Sequence, residues 1–161
     1  PTAQPAGTSL ILSSLSNQAR IDTIPLDTTL ITVWGGINDV FQSPFSTLGG
    51  LTDTTVATFY GAYQLMIERI YARIPNAKII IVNLTSVNTD FTLLNSNGNT
   101  VENYRVAVLA VANKYKYRVA NMSESGINPL NASVTIPDGV HPSVAGDELI
   151  AKIILKSLKD I

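Results

Sequence analysis

The chain has 161 residues, 45 % apolar and 14 % charged, with a formal net charge of −1 and a single histidine. That size and composition suit one globular domain with its own core and exclude a disordered segment. Lack of cysteine removes disulfides and thiolate metal sites, and lack of a basic block argues against nucleic acid, whose phosphates need clustered Lys and Arg.

In chain order, a Pro-rich start leads into a short helix expected over Leu10 to Ala19, with Leu12, Leu15 and Ala19 at helical spacing. Pro25 and Asp27 mark a loop. Residues 28–34, TTLITVW, form a β-branched run bounded by Asp27 and Gly35-Gly36, which reads as a strand buried on both faces. Residues 41–53 hold Pro44, Gly49 and Gly50 and read as a loop. Thr52 or Asp53 is placed to cap a helix running to about Arg73, with Val56, Phe59, Tyr60, Tyr63, Ile67, Ile70 and Ile74 on one face. Pro75 ends it.

KIIIVNL, residues 78–84, predicts a second buried strand, and Thr100 to Lys114 a helix with Val101, Tyr104, Val108 and Val111 inward. YRVAN, residues 117–121, predicts a third, shorter strand, followed by an irregular stretch over 122–137. The last helix spans Ser143 to Lys159, with Leu149, Ile150, Ile153, Ile154 and Leu158 inward. No apolar run approaches the roughly 20 residues of a membrane span. Strands alternating with helices imply a single α/β domain over residues 1–161, a parallel sheet sandwiched between two helical layers. In such sheets ligands bind beyond the strands' carboxyl ends.

Two stretches fall at that edge. Asp138-Gly139-Val140-His141-Pro142 precedes the last helix. A tight turn brings residues i and i+3 together, so the carboxylate can accept from imidazole Nδ1–H and leave Nε2 to take a proton from a nucleophile. The alternative is a solvated surface turn with a capping Asp. Gly35-Gly36-Ile37-Asn38-Asp39 follows the first strand; its glycines let the backbone turn sharply, and an Asn amide there could donate to an oxyanion. The alternative is an ordinary Gly-Asn-Asp turn.

In this order on an α/β chain, the pair resembles the SGNH (GDSL-type) esterase and lipase family. Gly36-Ile37-Asn38-Asp39 resembles that family's Gly-x-Asn-Asp block, and Asp138-Gly139-Val140-His141 its Asp-x-x-His block. The resemblance implies a flavodoxin-like SGNH hydrolase fold. It also implies that His141 is a general base, Asp138 its orienting partner and Asn38 an oxyanion donor. Gly7 matches the family's lone glycine, whose backbone N–H would be another oxyanion donor.

The family's Gly-Asp-Ser block has no such match. Gly7-Thr8-Ser9-Leu10 looks superficially like it, but no buried strand precedes it, and Ser9 lies only 29 residues before Asn38. The expectation is therefore a domain incomplete at its N-terminus, whose first strand and nucleophilic Ser lie upstream on a second polypeptide segment. The implied activity is a serine ester hydrolase acting on acyl or acetyl groups of small-molecule, carbohydrate or lipid esters, with no cofactor. A non-catalytic glycan-binding or assembly domain on the same fold is the alternative. A nucleotide-binding domain lacks its Gly-rich signatures. A metal site would have only His141 and oxygen ligands, so none is expected. The low-charge, Asn/Ser/Thr-rich composition suits an extracellular or virion-borne protein. The loops 41–53 and 122–137 are expected to border the cleft.

Overall fold

A computed structural model describes residues 14–41, 47–85 and 94–159. The elements in chain order are α1 (Gln18–Ile21), β1 (Leu30–Trp34), α2 (Ile37–Phe41), α3 (Phe59–Arg73), β2 (Lys78–Val82), α4 (Val101–Lys114), β3 (Arg118–Ala120), α5 (Ala132–Thr135) and α6 (Val144–Leu158). A single 3-10 turn at Met122–Glu124 follows β3. The three strands form one parallel sheet in the order β1-β2-β3. Leu30 pairs with Lys78 and Trp34 with Val82, and Ile80 pairs with Arg118.

The layering follows from the two-residue period of a strand. Along β2, Ile79 and Ile81 enter a core with Phe59, Tyr63, Ile67, Tyr104 and Val108 of α3 and α4. Ile80 and Val82 point the other way, into a cluster with Ala120, Met122, Ile136 and Ile150 of α6. Helices therefore cover both faces of the sheet, as the alternating pattern predicts, and β2 is buried along four of its five residues.

β1 differs from the expectation of burial on both faces. Only Val33 is fully buried, while Leu30 and Trp34 are 41 % and 42 % exposed. Ile31 and Val33 join the α3/α4 core. Among the described residues the α6 cluster covers the opposite face at β2 and β3 but contains no β1 residue. A groove of about 350 Å³ runs beside the strand, walled by Leu15, Ile21, Ile24, Met66, Ile70 and Trp34.

The helices also depart from the sequence reading in their bounds. The expected helix over Leu10 to Ala19 lies partly outside the described residues. Within them, helix begins only after Asn17, whose side chain accepts from Ala19 N. α3 is capped by Thr58, not by Thr52 or Asp53. Asp53 is engaged elsewhere: its Oδ2 accepts from Gly50 N at 2.8 Å and from Thr58 Oγ1 at 2.9 Å. The chain before Thr58 crosses the first turn of α3 so closely that a Cβ on Gly61 would lie 2.1 Å from Thr55 O. α2 and α5 occupy stretches read as turn or irregular; both are single turns, too short to show a helical period. α4 begins where expected, with a capping box between Thr100 and Asn103.

Among the described residues no helix is long and apolar enough to cross a membrane.

Candidate active site

The turn before α6 is fixed by short-range bonds. Asp138 Oδ1 accepts from Val140 N at 2.9 Å and His141 N at 2.7 Å, while Gly139 takes a positive φ of 87°. Asp138 Oδ2 then lies 2.7 Å from His141 Nδ1. A carboxylate only accepts, so Nδ1 carries the proton and Nε2 presents its lone pair. The backbone N–H of His141, then that of Val140, then the imidazole hold the Asp138 carboxyl at about 2, below its ordinary value of 3.8. It is ionised at any pH at which a hydrolase works, as an orienting partner must be.

α6 anchors this turn from behind. Ser143 N donates to Thr135 O and Ser143 Oγ to Val134 O, and Ser143 Oγ also caps α6 by accepting from Gly146 N. Gly146 packs directly on Thr135 O, where a Cβ would come within 2.3 Å. The pair itself stays exposed, the His141 side chain by 81 % and that of Asp138 by 54 %.

β1 delivers the other wall. After Trp34 the chain turns through Gly36 at φ 123°, a conformation open to glycine, and enters α2. A Cβ on Gly36 would meet the Phe59 ring at 3.0 Å. Asp39 and Val40 point inward, 1 % and 2 % exposed, and Asn38 is left on the outer side. Burial, then the negative charge of Asp39, push the Tyr63 phenol up. Burial raises the Tyr104 phenol, the hydrogen bond with Asn95 lowers it, and Asp39 raises it further.

The two walls face one cleft of about 270 Å³. Its lining includes Trp34, Gly35, Ile37 and Asn38 from the β1–α2 turn and Val140, His141 and Pro142 from the turn before α6. Leu84 and Thr85, just past β2, complete it. The sequence reading did not single out these two, although their place after a strand's carboxyl end was the available signal. Asn83 shapes that exit: it is fully buried, and its Oδ1 accepts from Leu84 N at 2.8 Å. Of the loops expected to border the cleft, neither the described part of 41–53 nor 122–137 lines it. The carboxyl ends of β1 and β2 stand in their place. Gly7 and Ser9 lie outside the described residues. Among the described residues no three His, Asp or Glu side chains converge as a metal site would require.

The whole fold has known counterparts. A solved crystal structure that is 30 % identical superposes with a TM-score of 0.81, over 99 % of this chain and 76 % of that one. A protein from Lactobacillus plantarum, 23 % identical, gives a TM-score of 0.82 over 96 % of this chain and 76 % of its own. A possible lipase from Chitinophaga pinensis, 21 % identical, gives 0.65 over 86 % and 76 %. None of the curated protein sequences matches the chain. The sequence model of the GDSL-like lipase/acylhydrolase family matches residues 6–149, a span holding both walls of the cleft. With the parallel sheet between helices and the Gly-x-Asn-Asp and Asp-x-x-His stretches, this match places the chain in the GDSL-like lipase/acylhydrolase family.

Proposed function

We propose that this chain carries the base and oxyanion side of a serine esterase that removes acyl or acetyl groups from carbohydrate or lipid esters. One observation carries the reading: His141, bonded to Asp138 at 2.7 Å, shares a cleft with Asn38 at the carboxyl ends of β1 and β2. His141 Nε2 takes the proton of a serine hydroxyl as that oxygen attacks the ester carbonyl. Asn38 Nδ2 donates to the oxyanion that forms, and the family resemblance assigns the Gly7 N–H as a second donor. The imidazolium returns its proton to the departing alkoxide, and water, activated the same way, releases the acid.

The serine comes from a second polypeptide segment carrying Gly-Asp-Ser, seated along β1. The open edge and groove of that strand support this. Among the described residues β1 pairs only with β2, and its outer face exposes Leu30 and Trp34. Unpaired backbone donors and acceptors cost about 1–3 kcal/mol each once buried, so an apolar groove beside a strand favours pairing with another strand. About a quarter of the 30 %-identical structure lies beyond its match to this chain, room in that protein for a strand and its turn.

The alternative, a non-catalytic glycan-binding or assembly domain, is favoured by the lack of serine on the described cleft walls. One experiment decides. The protein is prepared with its Gly-Asp-Ser segment, and hydrolysis of p-nitrophenyl acetate and acetylated oligosaccharides is measured for the parent, His141→Ala and Ser9→Ala. The esterase reading expects hydrolysis that His141→Ala abolishes and Ser9→Ala spares. Hydrolysis unaffected by His141→Ala sinks it, and loss in Ser9→Ala relocates the nucleophile to Ser9.

A further inference from the structure

We propose that Asn95 is a positioning residue, setting where Asn38 stands in the cleft; this rests on the esterase reading above. α2 is five residues long, and a helix of that length has no stability of its own. The place of Asn38 therefore depends on what grips the two ends of α2. At its start, Gly36 lies against the Phe59 ring. Phe59 meets Tyr104 edge to face, with ring centroids 4.9 Å apart at 67°. The chain of contacts then crosses to the other end through Asn95.

Asn95 Nδ2 donates to Tyr104 Oη at 3.2 Å and to Val40 O at 3.1 Å. Val40 O is one of the last carbonyls of α2, which have no partner inside a helix. The amide of Asn95 supplies one. Its other side-chain atom is also used, since Oδ1 accepts from Asn97 N and Asn99 N, both at 3.0 Å. The main chain closes the loop with Asn95 N donating to Asn99 O at 2.8 Å. The ring of contacts Gly36–Phe59–Tyr104–Asn95–Val40 thus encloses α2. Asn95 is its one member outside the buried core, and its bond to α2 spans 55 residues of sequence. Freed at that end, α2 can pivot about Gly36 and carry the Asn38 amide away from a forming oxyanion. Displacements of about 1 Å at such a donor cost up to about 100-fold in rate.

The test uses the protein with its nucleophile segment and the variant Asn95→Asp. This change keeps an Oδ acceptor for the N–H groups of Asn97 and Asn99 and removes the donor to Val40 O. Expected is a fall in kcat of about tenfold with KM within about twofold of the parent. In an Asn38→Ala background the same change costs less than about twofold, because its effect runs through Asn38. A parent-like kcat for Asn95→Asp, or losses that multiply in the double variant, overturn the proposal. Should Asn95→Asp fail to fold, Tyr104→Phe takes its place. It removes the other Nδ2 partner and keeps the ring, with a kcat loss of about two- to fivefold expected, again absent without Asn38; unchanged kcat overturns the proposal. If Asn38→Ala is parent-like while His141→Ala is dead, this inference fails and the general base survives. If both are parent-like, the esterase reading itself fails and takes this inference with it.

Discussion

On the His141 side of the cleft, the bonds that shape the site are local. Asp138 closes its turn on Val140 and His141, two and three residues away. On the Asn38 side the support comes from far along the chain: the Phe59 ring, the Tyr104 ring behind it, and Asn95, 55 residues from the carbonyl it holds. The first wall is exposed and self-contained, while the second is a single turn propped against the core. Loss of the His141 side chain on the first should therefore alter chemistry with little change in stability. A change behind the second should alter stability, and chemistry with it.

The largest expected effect is that of His141→Ala. In the protein with its nucleophile segment, ester hydrolysis should fall by about 10⁴-fold or more, with the thermal midpoint within about 2 °C of the parent. A midpoint lowered by many degrees would show that the turn is not self-contained. Phe59→Ala should lower stability first, and activity with it. Removing a fully buried ring from behind α2 costs about 3–5 kcal/mol, read from the denaturant midpoint. Asn38→Ala separates the wall from its props: about 10²–10³-fold in kcat, with stability within about 0.5 kcal/mol because the side chain is exposed.

The smallest effect concerns Asp138. Its carboxyl titrates at about 2 in the folded chain against an ordinary 3.8. A depressed carboxylate favours the fold above its unfolded value and loses that contribution as pH falls through the folded one. The difference in thermal midpoint between the parent and Asp138→Asn should stay constant above about pH 4.5 and shrink between 3.8 and 2. A difference still changing near pH 6 would mean another group controls the turn.

The same contrast explains what could be read from the residues alone. The Asp138–His141 pair was legible because the bonds that shape it lie within a stretch of four residues. The layers were legible too, since the run of four buried residues in β2 and the inward faces of α4 and α6 follow strand and helix periods. α2 was not, because one turn has no period. The Thr58 cap was hidden by Asp53, a better-placed acid in sequence whose carboxylate is taken by Gly50 N and Thr58 Oγ1. The openness of β1 could not be seen either, because a strand's composition records its own side chains and not whether a neighbour arrives to cover them.

That open strand ends in Trp34, the only tryptophan of the chain. Its side chain borders both the groove along β1 and the cleft with His141 and Asn38. Indole emission shifts to shorter wavelength as water leaves its surroundings, so the fold carries an intrinsic optical probe at the seam between the two spaces. If the proposed function holds, seating a strand in the groove and filling the cleft with an ester should each change the same fluorophore. Titrating the two separately would time assembly and substrate capture in one protein without a label.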